Sequence, residues 1–252
     1  MFLSILIGYF EQFMFVFLLI FFHELGHFET AKLFKYKVDK IYLYPTGGIS
    51  KFTSDLNTSF LKELLVLLNG PLMQIIIYLL IKNIYPYQRS LTYLKNIHYS
   101  ILLFNLLPIY PLDGGKLLNL FLNKIFSFRK SFNYTIYLSY IVIGIFIVFI
   151  PNHFKINYIF MVIFLMYKTT EEYKNRNYYF DKFILERYLY SYNFNKLCIV
   201  NSIKDFKKEY SHILNNNEKI YTEEEYLINK YEKQKDWIFS LLYFYEYYQV
   251  VE

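Results

Sequence analysis

Long stretches of this chain contain almost no polar residue, and their lengths set the first expectation. Apolar runs occupy residues 13–22, 60–81, 97–107, 131–150 and 156–167, and a helix needs about 20 residues to cross a bilayer. The runs at 60–81 and 131–150 reach that length unaided. The first and third reach it only by taking in residues 23–27 and 105–115, which contain His, Glu, Asn and Asp. The pattern predicts an all-α polytopic membrane protein, with about five to six transmembrane helices in residues 1–168. Residues 1–34 are too long for one span, because such a helix would rise about 50 Å against a hydrocarbon core of about 30 Å. Glu11 and Gln12 divide the stretch, so residues 1–10 read as the stub of an earlier span, truncated here or begun upstream. A signal peptide does not fit, since no small-residue cleavage site follows the first run.

Glycine and proline punctuate this pattern at three places. Residues 40–49 combine aromatic and β-branched residues with Pro45, Gly47 and Gly48, which predicts a hairpin or short re-entrant β-like loop. Asn69-Gly70-Pro71 interrupts an apolar run, a mark of close packing against a neighbour or a site. Pro108 and Pro111 stop the third run and are followed by Asp113, Gly114 and Gly115. From residue 168 the texture becomes charged. Residues 169–190 predict a helical linker and 191–252 a small helix-containing domain, with a turn at 215–217 and a solvated helix at 223–235.

Composition narrows the class. At 55% hydrophobic and 23% aromatic the chain is neither disordered nor fibrous. A single cysteine, Cys198, excludes a disulfide scaffold and a thiolate-bound zinc, so any metal must be held by His and carboxylate. The net charge of +6 is uneven: residues 1–167 carry 14 Lys and Arg against 7 Asp and Glu, whereas 168–252 carry 13 against 14. The basic excess therefore flanks apolar runs, as at a cytoplasmic membrane face, and forms no stripe suited to nucleic acid. Lys168, Lys174 and Arg176 place the C-terminus in the cytoplasm, and Lys124, Arg129 and Lys130 put the loop before 131 on the same side.

The polar residues inside the apolar runs are where chemistry concentrates. His23-Glu24-Leu25-Gly26-His27 is an H-E-x-x-H sequence, which sets both imidazoles on one helical face, spaced to share a zinc ion, with Glu24 beside them as a base. Ionisable groups at membrane depth are costly unless paired, metal-bound or facing a water cavity. Two histidines supply two ligands, and a catalytic zinc takes three. Asp113 is the only acidic residue between Glu63 and Glu171 and follows a helix break, which makes it the strongest third candidate. Asn105, eight residues earlier, is placed either to donate to a substrate oxyanion or to cap the broken helix. His98, His153 and His212 have no spaced partner and read as packing or surface residues.

These motifs resemble the site-2 protease family of intramembrane zinc metalloproteases, peptidase family M50, which pairs an H-E-x-x-H helix with a later Asn-x-x-Pro-x-x-x-x-Asp-Gly segment. Residues 13–190 follow the family. The stretches 43–48 and 105–118, with Glu171-Glu172-Tyr173 and Leu185-Glu186-Arg187-Tyr188, are similar to its sporulation branch. The resemblance implies one zinc ion per chain on His23, His27 and Asp113, with Glu24 activating water. It also implies an edge near Gly47 and Gly48 that takes the substrate as a strand, and Gly70 and Pro71 as structural support. The branch implies a membrane-associated substrate of the pro-sigma-K type, inhibitory membrane partners and a place in the mother-cell membrane around the forespore.

The tail departs from that branch. Its members carry a nucleotide-sensing domain of the cystathionine-β-synthase type, whereas residues 191–252 are short for that fold and lack glycine, which argues against ATP regulation. A substrate-docking or homo-oligomer contact fits the mixed charge equally well. Two other readings compete with the sporulation protease: a general site-2 protease of envelope-stress signalling, and a non-catalytic metal-binding membrane protein. Many stress proteases carry a PDZ domain for which no insertion here is long enough, and Glu24 argues against the non-catalytic reading.

Overall fold

The computed structural model describes residues 10–44, 47–53, 56–84, 88–149, 156–190, 192, 194–216 and 219–232. The stub expected at residues 1–10 falls almost wholly outside the described residues, as do Pro45, Thr46, Asn217 and His153. Helix α1 spans Phe10–Leu33, followed by an antiparallel hairpin of β1 (Lys37–Tyr44) and β2 (Gly47–Thr53). Then come α2 (Phe60–Ile84), α3 (Gln88–Asn105), α4 (Asp113–Ile125), α5 (Phe128–Phe149) and α6 (Ile156–Leu189). The described residues end with β3 (Lys196–Val200), β4 (Tyr210–Asn216), β5 (Lys219–Thr222) and α7 (Glu223–Glu232).

Three helices among the described residues are long and apolar enough to cross a membrane: α1, α2 and residues 128–148 of α5. Their outward faces are lined with exposed Leu and Ile, among them Leu65, Leu72 and Leu79 of α2. Such a face suits lipid, where burial against protein is unnecessary. Helix α3 is more polar, and α6 joins two predicted pieces, the apolar run at 156–167 and the linker at 169–190, into one 34-residue helix. No helix breaker stands between those pieces, so backbone bonding continues from the apolar into the charged half.

The expectation of helices with one β-like loop needs amending in the C-terminal part, where a three-stranded sheet forms. The predicted loop at 40–49 is a hairpin in which Tyr44 pairs with Gly47 and Leu43 with Gly48. In the tail, β3 and β4 are parallel and β4 and β5 antiparallel, in the order β3-β4-β5. Asn215 and Asn216, read as turn residues, extend β4 instead, where they pair with Ile220 and Lys219 of β5. This sheet shares one apolar cluster with the membrane-side helices: Phe128 of α5 and Phe180, Phe183 and Ile184 of α6 pack with Val200, Phe206, Leu214 and Leu227. Phe128 and Phe183 stack face to face with centroids 4.3 Å apart.

Candidate metal centre

Helix α1 presents His23 and His27 one turn apart, and both imidazoles are buried. The residues facing them come from α2, which packs on α1 so closely that only glycine fits at two crossing points. A Cβ on Gly70 would clash with the His27 ring, and one on Gly26 would strike the Asn69 carbonyl. Asn69 joins the helices by donating from Nδ2 to the Gly26 carbonyl at 3.1 Å and to Thr30 Oγ1. Pro71 lies within α2, which runs through it without a break.

Asp113 arrives from the other side, at the start of α4. Residues 106–112 leave helical geometry at Pro108 and Pro111, and the bonds that a break orphans are met by neighbouring helices. Tyr110 N donates to Ser139 Oγ of α5 at 2.8 Å, and Thr169 Oγ1 of α6 donates to the Tyr110 carbonyl at 2.9 Å. The irregular backbone is thus packed in protein, the condition under which it is tolerated at membrane depth. Asp113 is held with its carboxylate turned toward the histidines.

The three side chains meet at a buried point. His23 Nε2 lies 2.9 Å and His27 Nε2 3.1 Å from Asp113 Oδ2, and the two Nε2 atoms are 3.3 Å apart. Both Nδ1 atoms point away and are engaged, His23 with Gln74 Oε1 at 3.0 Å and His27 with the Val66 carbonyl at 2.8 Å. Lys116 Nζ stands 3.7 Å from the other Asp113 oxygen. Nitrogen and carboxylate ligands at about 2.0–2.2 Å in a tetrahedron are separated by roughly 3.3–3.5 Å. The triangle therefore fits one divalent ion with an expansion of a few tenths of an ångström. Two imidazole lone pairs and a carboxylate converging in a buried space are a donor set that a cation completes.

The remaining predicted residues divide. Asn105 closes α3 with Nδ2 at 3.5 Å from His23 Nε2, at the edge of the triangle. Glu24 follows His23 on α1 and is half buried. Gly70 lies under His27, while Pro71, Pro108 and Pro111 shape the backbone around the site. Gly47 and Gly48 stand at the turn end of the hairpin, whose β2 strand runs beside α1, and take no part in the triangle. Sequence reasoning marked the interruption at Asn69 but missed its bonds to α1, and it missed Gln74, Lys116 and the Val66 carbonyl. Asn69 and Gln74 had a readable signal, since both are amides inside an otherwise apolar span.

A two-histidine, one-aspartate centre buried among apolar helices defines a membrane-embedded metallopeptidase. This chain belongs to peptidase family M50, whose model matches residues 12–90 and 85–150. It is 31% identical over 193 residues to stage IV sporulation protein FB of Bacillus subtilis, a match covering 74% of this chain and 67% of that protein. A zinc metalloprotease of Methanocaldococcus jannaschii is 32% identical over 131 residues, 47% of this chain and 36% of that one. The solved structure of a site-2 protease from Methanocaldococcus jannaschii superposes with a TM-score of 0.53 at 28% identity, covering 68% of this chain and 82% of that chain. The chain is accordingly a zinc metalloendopeptidase of the membrane.

Proposed function

We propose that this endopeptidase clips a membrane-associated precursor within the bilayer, its substrate being a sigma-factor precursor of the pro-sigma-K type cut near its N-terminal pro-sequence. The observation behind the site assignment is the buried convergence of His23, His27 and Asp113. The sporulation role is supported by the likeness to the sporulation protein of Bacillus subtilis. The matching location is the mother-cell membrane around the forespore, with inhibitory membrane proteins as partners. Lys168, Lys174 and Arg176 favour a cytoplasmic C-terminal sheet. Helix α3 and the 156–167 part of α6 would join α1, α2 and α5 as the further spans.

His23, His27 and Asp113 would hold the ion. When bound, zinc supplies a Lewis acid that lowers the pKa of its water toward about 7 and polarises the scissile carbonyl. Glu24 takes the proton of the attacking water and returns it to the departing amine. Asn105 donates from Nδ2 to the carbonyl oxygen as it becomes negative. The hairpin end at Gly47 and Gly48 holds the substrate extended through main-chain bonds.

The test is co-expression with a panel of membrane-associated sigma-factor precursors, comparing the native chain with Glu24→Gln and reading metal content in both. Cleavage of one precursor by the native chain alone, with about one zinc in each form, is the expected result. Zinc in both and cleavage by neither would remove the sporulation assignment.

A further inference from the structure

Gln74 is fully buried on α2, in the middle of an apolar span, where an unpaired amide is costly. Its two ends touch different helices. Oε1 is 3.0 Å from His23 Nδ1 on α1, and Nε2 is 3.0 Å from the His98 carbonyl and 3.3 Å from His98 Nδ1 on α3. A main-chain carbonyl can only accept, so the amide NH2 must face His98 and the amide oxygen must face His23. That leaves His23 Nδ1 one role, donating its hydrogen to Gln74. The neutral ring then carries no hydrogen on Nε2, the atom that meets Asp113 and His27.

From this chain of bonds we infer that Gln74 is a positioning residue, which uses the His98 carbonyl to lock His23 in the tautomer and ring orientation that ligate a metal ion. The inference rests on the reading of His23, His27 and Asp113 as the zinc ligands. The relay is braced at its far end, because the His98 ring stacks on Tyr78, one turn after Gln74 on α2, with centroids 4.2 Å apart and planes at 8°. The stack holds α3 against α2, keeping the carbonyl opposite the amide. His27 needs no such relay, since the Val66 carbonyl on α2 accepts directly from its Nδ1. One ligand is thus oriented by backbone and the other by a side chain, which makes the second testable by substitution.

The experiment is zinc binding to the detergent-solubilised full chain by chelator competition, with cleavage measured alongside. Gln74→Met keeps the length and apolar fit but removes the acceptor. It is expected to weaken zinc binding about 10- to 100-fold, the usual effect of losing a partner behind a metal ligand. Gln74→Glu, with its carboxyl protonated in this apolar span, keeps an oxygen that accepts from His23 Nδ1 and a hydroxyl that donates to the His98 carbonyl, and is expected to hold zinc affinity within a few-fold of native. Native affinity in Gln74→Met, even with a lowered melting temperature, would overturn the inference. If Gln74→Met does not fold, Gln74→Glu decides alone: retained affinity supports the relay, and a tenfold loss overturns it. A native chain that binds no zinc would instead sink the zinc assignment on which the inference stands.

Discussion

Arg187 Nε donates to Asn57 Oδ1 at 2.7 Å across a sequence separation of 130 residues, fastening the end of α6 to the segment that leads into α2. The same guanidinium reaches into the C-terminal sheet, bonding Glu223 Oε1 at 2.7 Å and the carbonyls of Tyr210 and Lys207 at 3.0 and 2.9 Å. Beside it, Glu209 Oε1 accepts from Phe60 N at 2.7 Å and Lys208 pairs with Glu63, both in the first turn of α2. The sheet thus braces the helix that supplies Val66 and Gln74 to the histidines. Arg187→Met would leave Glu223 without its cation in a largely buried position, which costs about 3–5 kcal/mol. The expected outcome is release of the sheet, read as a lowered melting temperature and new protease cutting between residues 190 and 196. Arg187→Lys should not rescue it, because a point charge cannot make the forked contacts. Unchanged cutting in Arg187→Met would remove the brace.

Acid should loosen the same junction. His212 is buried and stacked on Phe206, accepts from Lys207 N at its Nε2 (2.9 Å) and bonds Glu223 Oε2 through Nδ1 (2.9 Å). Burial pushes its pKa below 6.5, and the charges of Arg187 and Lys207 push the same way against the pull of Glu223. Glu223 is lowered from 4.5 because the His212 bond and the Arg187 charge outweigh the burial that would raise it. In each case the folded state binds fewer protons than the unfolded one, so stability rises with pH. The His212 contribution is complete above about 6.5 and is lost as pH falls below it, and that of Glu223 is lost below about 4.5. The protease sensitivity of the junction should therefore increase from pH 7 to pH 5 in the native chain. His212→Asn should flatten that increase, and an equally steep profile in the variant would assign the acid effect elsewhere.

Much of the candidate metal centre is legible in the sequence because the residues proposed to bind the ion break the rules of their surroundings. His23, His27 and Asp113 are ionisable groups in apolar runs, and the i, i+4 spacing of the histidines states their common face. Asn69 and Gln74 break the same rule more quietly, as neutral amides, and their partners Gly26, Thr30 and His98 lie on other helices that no local pattern connects. The C-terminal sheet is the least legible element. Its strands are five, seven and four residues long, with Lys and Asn among them, so period-2 alternation has little length in which to appear. The sheet forms because Val200, Phe206 and Leu214 find Phe128, Phe180 and Phe183 to pack on, a tertiary fact.

Gly70 offers a direct probe of how closely α2 must approach the site. Any side chain there overlaps the His27 imidazole, so Gly70→Ala must either displace that ring or separate α1 from α2. Displacing a ligand is expected to reduce zinc affinity at least tenfold, in line with disturbance of a ligand's supporting contacts. Since Ala favours a helix over Gly by about 1 kcal/mol, loss of helix cannot be the cause of a defect. Chelator competition checks it, and native zinc affinity in Gly70→Ala would show that the helices part without disturbing His27.

Asn105 allows the chemical step to be separated from metal binding. Its Nδ2 lies at the edge of the triangle, 3.5 Å from His23 Nε2, at the last residue of α3 before the break. A hydrogen-bond donor beside a developing oxyanion contributes about 10²–10³ in kcat. If Asn105 serves the oxyanion, Asn105→Ala should retain about one zinc and lose cleavage by that factor, with KM little changed. If it only ends the helix, zinc content and cleavage should both stay near native, because the neighbouring backbone is already held by Ser139 and Thr169. Single-turnover cleavage of a membrane-associated precursor, with zinc measured on the same sample, distinguishes the two outcomes.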